Sequence, residues 1–439
     1  MTQHKLTRRT LLAAPLALAL PRALFAQGQT FDFDCVVIGA GAAGLAAAHE
    51  LRRRKKTFAV LEARSRPGGR IYTDRTLGAP YDAGAFYLHW AEKNPLTRIA
   101  RAIGVKTLDE DDVERFFQSH DRGNPPASAQ GQRDWSARRA LLDEEGREIP
   151  DVSLMQFAGG GNAPAAEGAL VMARLALGEE AERVSARDYS RLIAGEDRLI
   201  PEGFGKILER HARGLPITYD APVSAIDWSG PGIAITSPRG TITARTLIVT
   251  TSVGVLQSGA IRFTPALPHI NRDGLAGLAM GASTRAALDF GAQRFGLKPN
   301  TSLRLRLSPR ESISFGCFPF GNNIVTAYFG GDHARKVSNM SEADASAYLL
   351  DHFVSIIGED ARRHFRAGRF ANWWQDPYAR GGYSHALPGQ ADARAKLATP
   401  VASRMFFAGE ATGGAFGEQG AAITAGGAYL AGQAAARAV

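Results

Sequence analysis

The stretch VVIGAGAAGLAAAHELRRRKKTFAVLEARSRPGGR, residues 36–70, contains the pattern on which the predicted fold rests. Its first three residues are apolar and β-branched and predict a buried strand. Gly39, Gly41 and Gly44 follow in G-x-G-x-x-G spacing, which allows a tight turn, close approach of the backbone to a pyrophosphate, and close packing of a helix on the strand. Leu45–Arg53 is predicted as that helix, with its N-terminal N–H groups facing the phosphates.

The residues after this helix complete a dinucleotide-binding pattern. Phe58–Leu61 is predicted as a second strand, and Glu62 at its end can accept hydrogen bonds from both ribose hydroxyl groups. A lone glycine motif is a weak signal because glycine-rich turns are common, but strand, glycines, helix, strand and acid in this order are specific. The stretch therefore predicts dinucleotide binding, and it does not by itself distinguish NAD from FAD.

Composition sets broad limits on the class of protein. The chain has 439 residues, 45% hydrophobic and 22% charged, which is ordinary for a globular protein and long enough for two cores. Cys35 and Cys317 are too few for a disulfide framework, and no cluster has metal-ligand spacing, so we expect no metal site. The basic run at 52–56 lies where the first helix is predicted to end, a position that favours cations, and does not indicate nucleic-acid binding.

Residues 1–27 are predicted to be an export signal. Arg8 and Arg9 precede an apolar run, Leu11–Leu20, which is too short to cross a bilayer as a stable anchor. Adjacent arginines before such a run resemble a twin-arginine signal, and the alternative is an ordinary signal peptide with an incidental arginine pair. Removal takes away four basic residues and no acid, so the net charge falls from +9 to +5. We expect a periplasmic or secreted protein.

Strand-like and helical patterns alternate along the rest of the chain. A polar stretch with Gly and Pro at 121–135 predicts a loop. Helical periodicity is found at 95–118 and 164–194, and short β-branched runs at 215–290 and 301–330. Helical and strand-rich segments are thus interleaved along the chain, which predicts two domains built from discontinuous segments.

The chain after the second predicted strand carries the first of several family motifs. Residues 62–70 read E-A-R-x-R-x-G-G-R, a run that resembles the flavin-containing amine oxidase family of monoamine and polyamine oxidases, L-amino acid oxidases and histone lysine demethylases. The resemblance covers nearly the whole chain after the predicted signal. Further matching segments are YDAGAFYLHW (81–90), NWWQDPYARGGYS (372–384), FFAGEAT (406–412) and GGAYLAG (426–432).

The resemblance implies an α/β fold in which a Rossmann-type FAD-binding domain is interleaved with a mixed α+β substrate domain. Residues 28–95, 196–260 and 371–439 are assigned to the FAD-binding domain, and residues 96–195 and 261–370 to the substrate domain. The cofactor implied is non-covalent FAD. Family members that tether the flavin use a cysteine just before a tyrosine of the substrate cavity, and this chain has Gly382 there.

The resemblance also implies which residues contact FAD. Arg64 and Arg70 would lie near the ribose and pyrophosphate, where a guanidinium group is well suited to phosphate. Val223 would contact the adenine, and the N-terminus of the last helix would point at the flavin ring. The predicted set is Gly39, Gly41, Ala43, Gly44, Glu62, Ala63, Arg64, Gly69, Arg70, Gly84, Ala85, Phe86, Val223, Trp373, Gly409, Glu410, Thr424 and Ala425.

Tyr383, Trp373 and Arg285 are the predicted catalytic residues. By resemblance, Tyr383 forms a wall of the cavity in front of the flavin, where its ring would align the C–H bond of a neutral amine with flavin N5. Trp373 matches a position at the flavin site. Arg285, in MGASTRAAL (280–288), occupies the position where many members carry a lysine near N5, so the resemblance implies a fixed cation there.

Four more residues are predicted to contact the substrate: Tyr87, His89, Phe416 and Thr424. His89 matches a substrate-facing position of several polyamine oxidases, and the alternative is a structural histidine next to Trp90. Thr424 stands where monoamine oxidases have a second aromatic wall, and Phe416 in the preceding loop is a candidate replacement. This departure argues against simple arylalkyl monoamines as substrates.

The predicted function is oxidation of the C–N bond of an amine. Hydride would pass from the α-carbon to flavin N5, and water would hydrolyse the resulting imine. The electron acceptor would be oxygen or a periplasmic carrier. Two alternatives stay open: a flavin-dependent dehydrogenase or desaturase acting on C–C bonds, which shares the N-terminal fingerprint, and a flavin-binding protein without turnover. The sequence does not identify the amine, polyamine or amino acid.

Overall fold

The computed structural model describes residues 30–120, 129–144, 147–192, 195–416 and 422–439, without the side chains of 414–416. The predicted export signal, residues 1–27, lies outside these ranges. Among the residues described, no helix is both long enough and apolar enough to cross a membrane.

The strands are numbered in chain order. They are β1 (Phe33–Ile38), β2 (Phe58–Leu61), β3 (Thr73–Asp74), β4 (Tyr81–Asp82), β5 (Tyr87–Leu88), β6 (Leu108–Asp109), β7 (Phe116–His120), β8 (Arg198–Leu199), β9 (Ile217–Thr218), β10 (Ala225–Asp227), β11 (Ile233–Ser237), β12 (Gly240–Val249), β13 (Arg262–Thr264), β14 (Leu278–Gly281), β15 (Ser283–Asp289), β16 (Thr301–Ser308), β17 (Glu311–Cys317), β18 (Ile324–Gly330), β19 (Ala367–Ala371), β20 (Tyr383–Ala386) and β21 (Met405–Phe407).

The helices are numbered in the same way. They are α1 (Ala42–Arg53), α2 (Pro95–Ala102), α3 (Ala129–Leu142), α4 (Leu154–Phe157), α5 (Ala166–Leu177), α6 (Ala186–Ser190), α7 (Gly205–His211), α8 (Val253–Gln257), α9 (His269–Ala276), α10 (Asp332–Ser338), α11 (Glu342–Ile357), α12 (Glu359–His364), α13 (Ala393–Ala398) and α14 (Ala425–Ala438), with short 3₁₀ helices at Pro319–Gly321 and Glu410–Phe416.

The larger sheet carries the dinucleotide-binding pattern. Its strands lie in the order β13-β10-β11-β12-β1-β2-β9, and β21 also pairs with β12. The central strand β1 is parallel to both β2 and β12. All four residues of β2 are buried, as expected for a strand covered on both faces of a parallel sheet. The predicted α/β fold class is confirmed.

Two glycines let α1 and α14 pack at close range. A Cβ atom on Gly44 would lie 1.8 Å from the carbonyl oxygen of Gly39, so α1 approaches the end of β1 too closely for any side chain there. A Cβ atom on Gly432 would lie 1.9 Å from the carbonyl oxygen of Ala43, which brings α14 against α1 in the same way. α14 therefore crosses α1 close to the N-terminus of α1.

The second sheet contains β19-β15-β18-β17-β16-β7 within the described residues. Its core is rich in phenylalanine, and Phe353 of α11 packs against both Phe290 and Phe315. The predicted domain boundaries stay predictions. The boundary at residue 260 falls just before β13, which pairs with β10 in the larger sheet.

Local sequence patterns gave the wrong secondary structure for parts of two segments. The helical periodicity at 95–118 predicted a helix, but the helix that forms there, α2, ends at Ala102. The last residues of this range belong to strand β7, which pairs with β16. The loop predicted at 121–135 is wrong for its last part, because α3 begins at Ala129. Trp135 of that helix packs so closely on Gly168 that a Cβ there would lie 2.2 Å from the indole Cγ. This tertiary contact stabilises a helix although the polar composition of the segment favours a loop. Residues 121–128 lie outside the residues that the structure describes.

Candidate active site

A cavity of about 620 Å³ begins at the carboxyl ends of β1 and β2 and reaches the strands of the second sheet. Gly39, Gly41 and Glu62 line it at the first end, and Arg285 of β15 and Tyr383 of β20 line it as well. The residues predicted from the dinucleotide pattern and those predicted for catalysis therefore share one cavity.

The glycine turn leaves a clear path for a ligand to approach the backbone. Gly39 has a φ of +99°, a conformation that favours glycine. A Cβ atom on Gly41 would meet nothing nearer than the carbonyl oxygen of Gly68 at 4.0 Å, so Gly41 faces open space. Helix α1 starts directly after Gly41, which has no side chain to cap the first N–H groups. Such a helix N-terminus binds anions, phosphate in particular.

Glu62 is buried at the end of β2 with part of its hydrogen-bonding capacity unused. One carboxylate oxygen accepts from the backbone N–H of Ala40 at 2.7 Å, and the other accepts from the backbone N–H of Arg64 at 2.9 Å. A carboxylate has about four acceptor sites, so two are left for the hydroxyl groups of a ribose. Glu62 lies where the dinucleotide pattern requires it.

The two arginines of the E-A-R-x-R-x-G-G-R run connect this segment to distant parts of the chain. Arg64 donates two hydrogen bonds to Asp376, at 2.8 and 2.6 Å, and lies over the ring of Trp373. Arg70 donates to the carbonyl oxygen of Gly382 at 2.6 Å and to the Glu410 carboxylate at 3.1 Å. Both guanidinium groups are thus fixed in place where they line the cavity.

A buried polar network continues from Glu410 along β20 to α13 and α6. The hydroxyl group of Ser384 donates to Glu410 at 2.6 Å and accepts from Arg394 at 2.8 Å. Arg394 also donates two hydrogen bonds to Asp188, at 2.7 and 3.0 Å, and Asp188 accepts from the backbone N–H of Ala386. The network holds β20 at both its ends. Sequence reasoning did not identify Asp188, Ser384 or Arg394, and no local pattern marks the two charged residues.

Tyr383 and Trp373 are held firmly at the cavity. Tyr383 pairs with Gly281 across β14 and β20 and lines the cavity from there. Trp373 is 7% exposed, and its indole N–H donates to the carbonyl oxygen of Ala83 at 2.7 Å. The Trp373 ring also covers Gly84, where a Cβ atom would lie 3.3 Å from it. Gly84 and Trp373, which are both predicted to contact FAD, therefore lie against each other.

The side chain of Arg285 enters the cavity from β15. Its guanidinium carbon lies 3.7 Å from the centre of the Phe86 ring, a stacked cation–π arrangement. Its Nε is buried and has no acceptor among the residues described. Ser283, two residues earlier in the strand, lines the same cavity, as the alternation of side chains along a strand requires.

The N-terminus of the last helix also faces the cavity. Thr424 caps α14, since its hydroxyl group accepts from the backbone N–H of Gly427 at 3.0 Å, and both Thr424 and Ala425 line the cavity. The side chain of Phe416 lies outside the described residues. Of the predicted FAD contacts, the cavity is lined by Gly39, Gly41, Ala43, Glu62, Ala63, Arg64, Gly69, Arg70, Gly84, Ala85, Val223, Trp373, Gly409, Glu410, Thr424 and Ala425.

The other predicted residues lie behind or beside the cavity walls. Gly44 packs on Gly39, and Phe86 supports Arg285 from outside the cavity lining. The hydroxyl group of Tyr87 donates to Glu110 at 2.7 Å, and His89 Nδ1 lies 2.9 Å from Asp197. Neither Tyr87 nor His89 is among the described residues that line the cavity. Their contact with substrate stays a prediction.

Sequence and structure comparisons agree on what the chain resembles. Residues 42–188 and 152–439 match the family model described as flavin containing amine oxidoreductase. Polyamine oxidase 4 of Oryza sativa subsp. japonica is 27% identical over 411 residues, which is 86% of this chain and 83% of that protein. Lysine-specific histone demethylase 2 of Homo sapiens is 26% identical over 445 residues, 90% of this chain and 52% of that one.

Two solved structures share the fold over almost their whole length. A double mutant of putrescine oxidase has a TM-score of 0.75 at 20% identity, covering 92% of this chain and 98% of that one. Cyclohexylamine oxidase from Brevibacterium oxydans has a TM-score of 0.74 at 21% identity, covering 93% and 98%. At these identities the likeness establishes the fold and not the substrate.

Proposed function

The chain belongs to the family of flavin-containing amine oxidoreductases and is an FAD-dependent enzyme, and on this basis we propose that it oxidises the C–N bond of a small amine. One observation carries the proposal: a single cavity is lined by the glycine turn and Glu62 and also by Trp373, Tyr383 and Arg285. A dinucleotide bound at the first end would share this cavity with the side chains at the other. Similar proteins named as polyamine, putrescine and cyclohexylamine oxidases support an amine as substrate.

The residues present fit FAD. Gly41 and Gly409 both face open space where a larger side chain would intrude on the ligand. Glu62 would hold the ribose, and the N-terminus of α1 with Arg70 would hold the diphosphate. The N-terminus of α14, which begins at Ala425, would face the flavin ring and stabilise negative charge there.

When bound, FAD would supply the acceptor for the hydride that leaves the α-carbon of the amine. The protein's own part is to bind a neutral amine and orient it. As the hydride leaves, the nitrogen lone pair forms the C=N bond, and water then converts the protonated imine to a carbonyl compound and ammonium, or a protonated amine where the substrate is a secondary amine. Tyr383 orients the reacting C–H bond, and the hydrogen bond from Trp373 to Ala83 fixes the neighbouring wall. A neutral amine needs no strongly basic side chain.

Anaerobic bleaching of the yellow cofactor tests the function. The oxidised enzyme is mixed without oxygen with amines, polyamines and amino acids, and separately with substrates that can be oxidised only at a C–C bond. We expect bleaching by at least one compound with an oxidisable C–N bond. Bleaching by C–C substrates alone would support a dehydrogenase or desaturase instead, and an unchanged spectrum throughout would indicate binding without turnover. Readmission of oxygen or an artificial acceptor then identifies the acceptor class.

FAD is expected to leave the protein completely on acid precipitation. The residue before Tyr383 is Gly382, and both Cys35 and Cys317 are buried away from the described cavity lining. Burial also raises the pKa of each thiol to about 12, so neither is a reactive thiolate. Absorbance of the supernatant and pellet measures the release. Yellow colour retained in the washed pellet would disprove non-covalent binding.

Glu62→Ala is expected to weaken FAD binding by about 1.5–3 kcal/mol, the usual range for hydrogen bonds to a charged group. The variant loses the carboxylate that would accept from the ribose and leaves the N–H groups of Ala40 and Arg64 without their acceptor. FAD occupancy after dialysis measures the change. Glu209→Ala, which removes a half-exposed carboxylate paired with Arg75, is the control and should retain FAD. Equal occupancy in the two variants would contradict the assignment of Glu62.

We also propose that the protein is exported with its cofactor already bound. The support is the Arg8–Arg9 pair in front of the apolar run at 11–20, a pattern typical of a route that carries folded proteins. Cell fractionation of the wild-type chain and of a variant with both arginines changed to lysine tests this. We expect FAD-containing protein outside the cytoplasm for the wild type and retention for the variant; equal distribution would contradict the route.

A further inference from the structure

The charges that line the cavity are unevenly matched. Among the described residues, its acids are Glu62 and Glu410, and its cations are Arg64, Arg70, Arg285 and Arg380. Arg64 is paired with Asp376 and Arg70 with Glu410, while Arg380 is exposed to solvent. Arg285 is the cation that is neither paired nor exposed.

The surroundings of Arg285 hold it in place without giving its N–H groups an acceptor. Its guanidinium group stacks on the face of Phe86, and no ion pair or side-chain hydrogen bond joins it to any residue that the structure describes. Asp82 is the acid that interacts with it through space, beyond ion-pair distance. Burial raises the pKa of Asp82 to about 6, although hydrogen bonds from Thr73 and the charge of Arg285 oppose the shift. Asp82 is therefore mostly ionised at neutral pH, but it makes no ion pair or hydrogen bond with Arg285, so the N–H groups of the guanidinium have no acceptor among the residues described.

Arg285 is half-buried, and its buried Nε has no acceptor among the residues described, so an anionic group of a ligand would supply the hydrogen-bond acceptor that the protein does not. Stacking on Phe86 uses the face of the group and leaves its N–H edges free, and this planar fork matches a carboxylate with two parallel hydrogen bonds. The hydroxyl group of Ser283, on the same face of β15, donates to the Tyr328 hydroxyl group at 3.4 Å, so the guanidinium supplies the donors for an anion. Hydrogen-bond donors for an anion are thus present in the same cavity that Tyr383 lines.

We propose that Arg285 binds a carboxylate group of the substrate, so that the preferred substrates are amino acids and not the corresponding amines. This inference rests on the proposed function. The acids of the cavity argue against a polyamine, because Glu62 is placed for the ribose and Glu410 is already engaged by Arg70 and Ser384. A second ammonium group would find no free carboxylate among the described lining residues and would face Arg285.

Matched substrate pairs test the proposal. Each pair is an amino acid and the amine formed by loss of its carboxylate: leucine and isopentylamine, phenylalanine and phenethylamine, lysine and cadaverine. Anaerobic flavin reduction is followed at equal, subsaturating concentrations in the wild type, Arg285→Met and Arg285→Lys. In the wild type we expect the amino acid of a pair to react roughly tenfold to hundredfold faster, the range that charge-assisted hydrogen bonds give. The ratio should approach one in Arg285→Met and be partly kept in Arg285→Lys.

The outcomes separate this proposal from the proposed function. If amines reduce the flavin as fast as the amino acids, or if the ratio is the same in Arg285→Met, Arg285 does not bind a carboxylate although amine oxidation stands. If neither class reduces the flavin, the proposed function itself fails. A second measurement does not depend on a variant: isovalerate should perturb the spectrum of wild-type FAD and isovaleramide should not. Equal responses to the two compounds would also overturn the proposal.

Discussion

Tyr383→Ala is expected to slow anaerobic reduction of the bound FAD by about a hundredfold, the effect of losing alignment of the reacting groups. Tyr383 lines the cavity from the first position of β20, directly opposite Gly281. Replacing its ring with a methyl group removes one wall and lets the amine turn away from the productive orientation. Because Tyr383 is not among the residues that would hold the ribose or diphosphate, FAD occupancy should change little. Stopped-flow reduction and absorbance of the dialysed protein measure the two effects separately.

Tyr383→Phe is the matched control for this prediction. It keeps the ring and removes only the hydroxyl group, which interacts with Tyr328. We expect reduction much closer to the wild-type rate than in Tyr383→Ala. If Tyr383→Ala loses FAD while its loaded fraction is reduced at the normal rate, Tyr383 is a packing residue and the cavity wall lies elsewhere.

Arg394→Met is expected to lower the free energy of unfolding by about 3–5 kcal/mol, the cost of breaking a buried ion pair by removing one partner. The change leaves the Asp188 carboxylate, which is 1% exposed, without its counter-charge. It also removes the donors to Ser384 and to its backbone carbonyl. Since β20 carries Tyr383, activity should fall together with stability. Denaturant unfolding of the FAD-loaded protein measures the change.

Arg191→Met is the control for Arg394→Met. Arg191 pairs with Asp392 at 3.2 Å on the surface, and such exposed pairs contribute about 1 kcal/mol or less. In the double variant Asp188→Leu with Arg394→Met, no uncompensated charge is left, so we expect part of the lost stability to return. A loss in Arg394→Met no larger than in Arg191→Met would show that the network is not a significant source of stability.

The sequence predicted those parts of the fold whose signals are local. The second strand was predicted as Phe58–Leu61 and has those bounds, because an apolar run between polar residues needs no distant contact to be recognised. Helix α1 begins three residues earlier than predicted, at Ala42, since the glycine turn itself leads directly into the helix. The fold class, the flavin cofactor and the enzyme class are confirmed by the family match.

What the sequence did not predict depends on contacts between distant segments. Arg394 and Asp188 are 206 residues apart, and neither stands in a recognisable motif. The pairing of Arg64 with Asp376 joins two predicted motifs, 312 residues apart, that pattern reasoning could only treat separately. The same limit applies to Arg285, whose position was expected from the resemblance but whose lack of a partner becomes visible only when the cavity lining is known.

A single anaerobic turnover tests most directly whether this cavity oxidises a C–N bond. Enzyme loaded with FAD is mixed with a limiting amount of the compound that bleaches it best, and the products are quantified after the reaction stops. The proposed function predicts that each equivalent of reduced FAD is accompanied by one equivalent of carbonyl compound and one of ammonium, or of the released amine where the substrate is a secondary amine. Reduced FAD with the C–N bond intact, or with a C=C bond formed in the substrate, would contradict it.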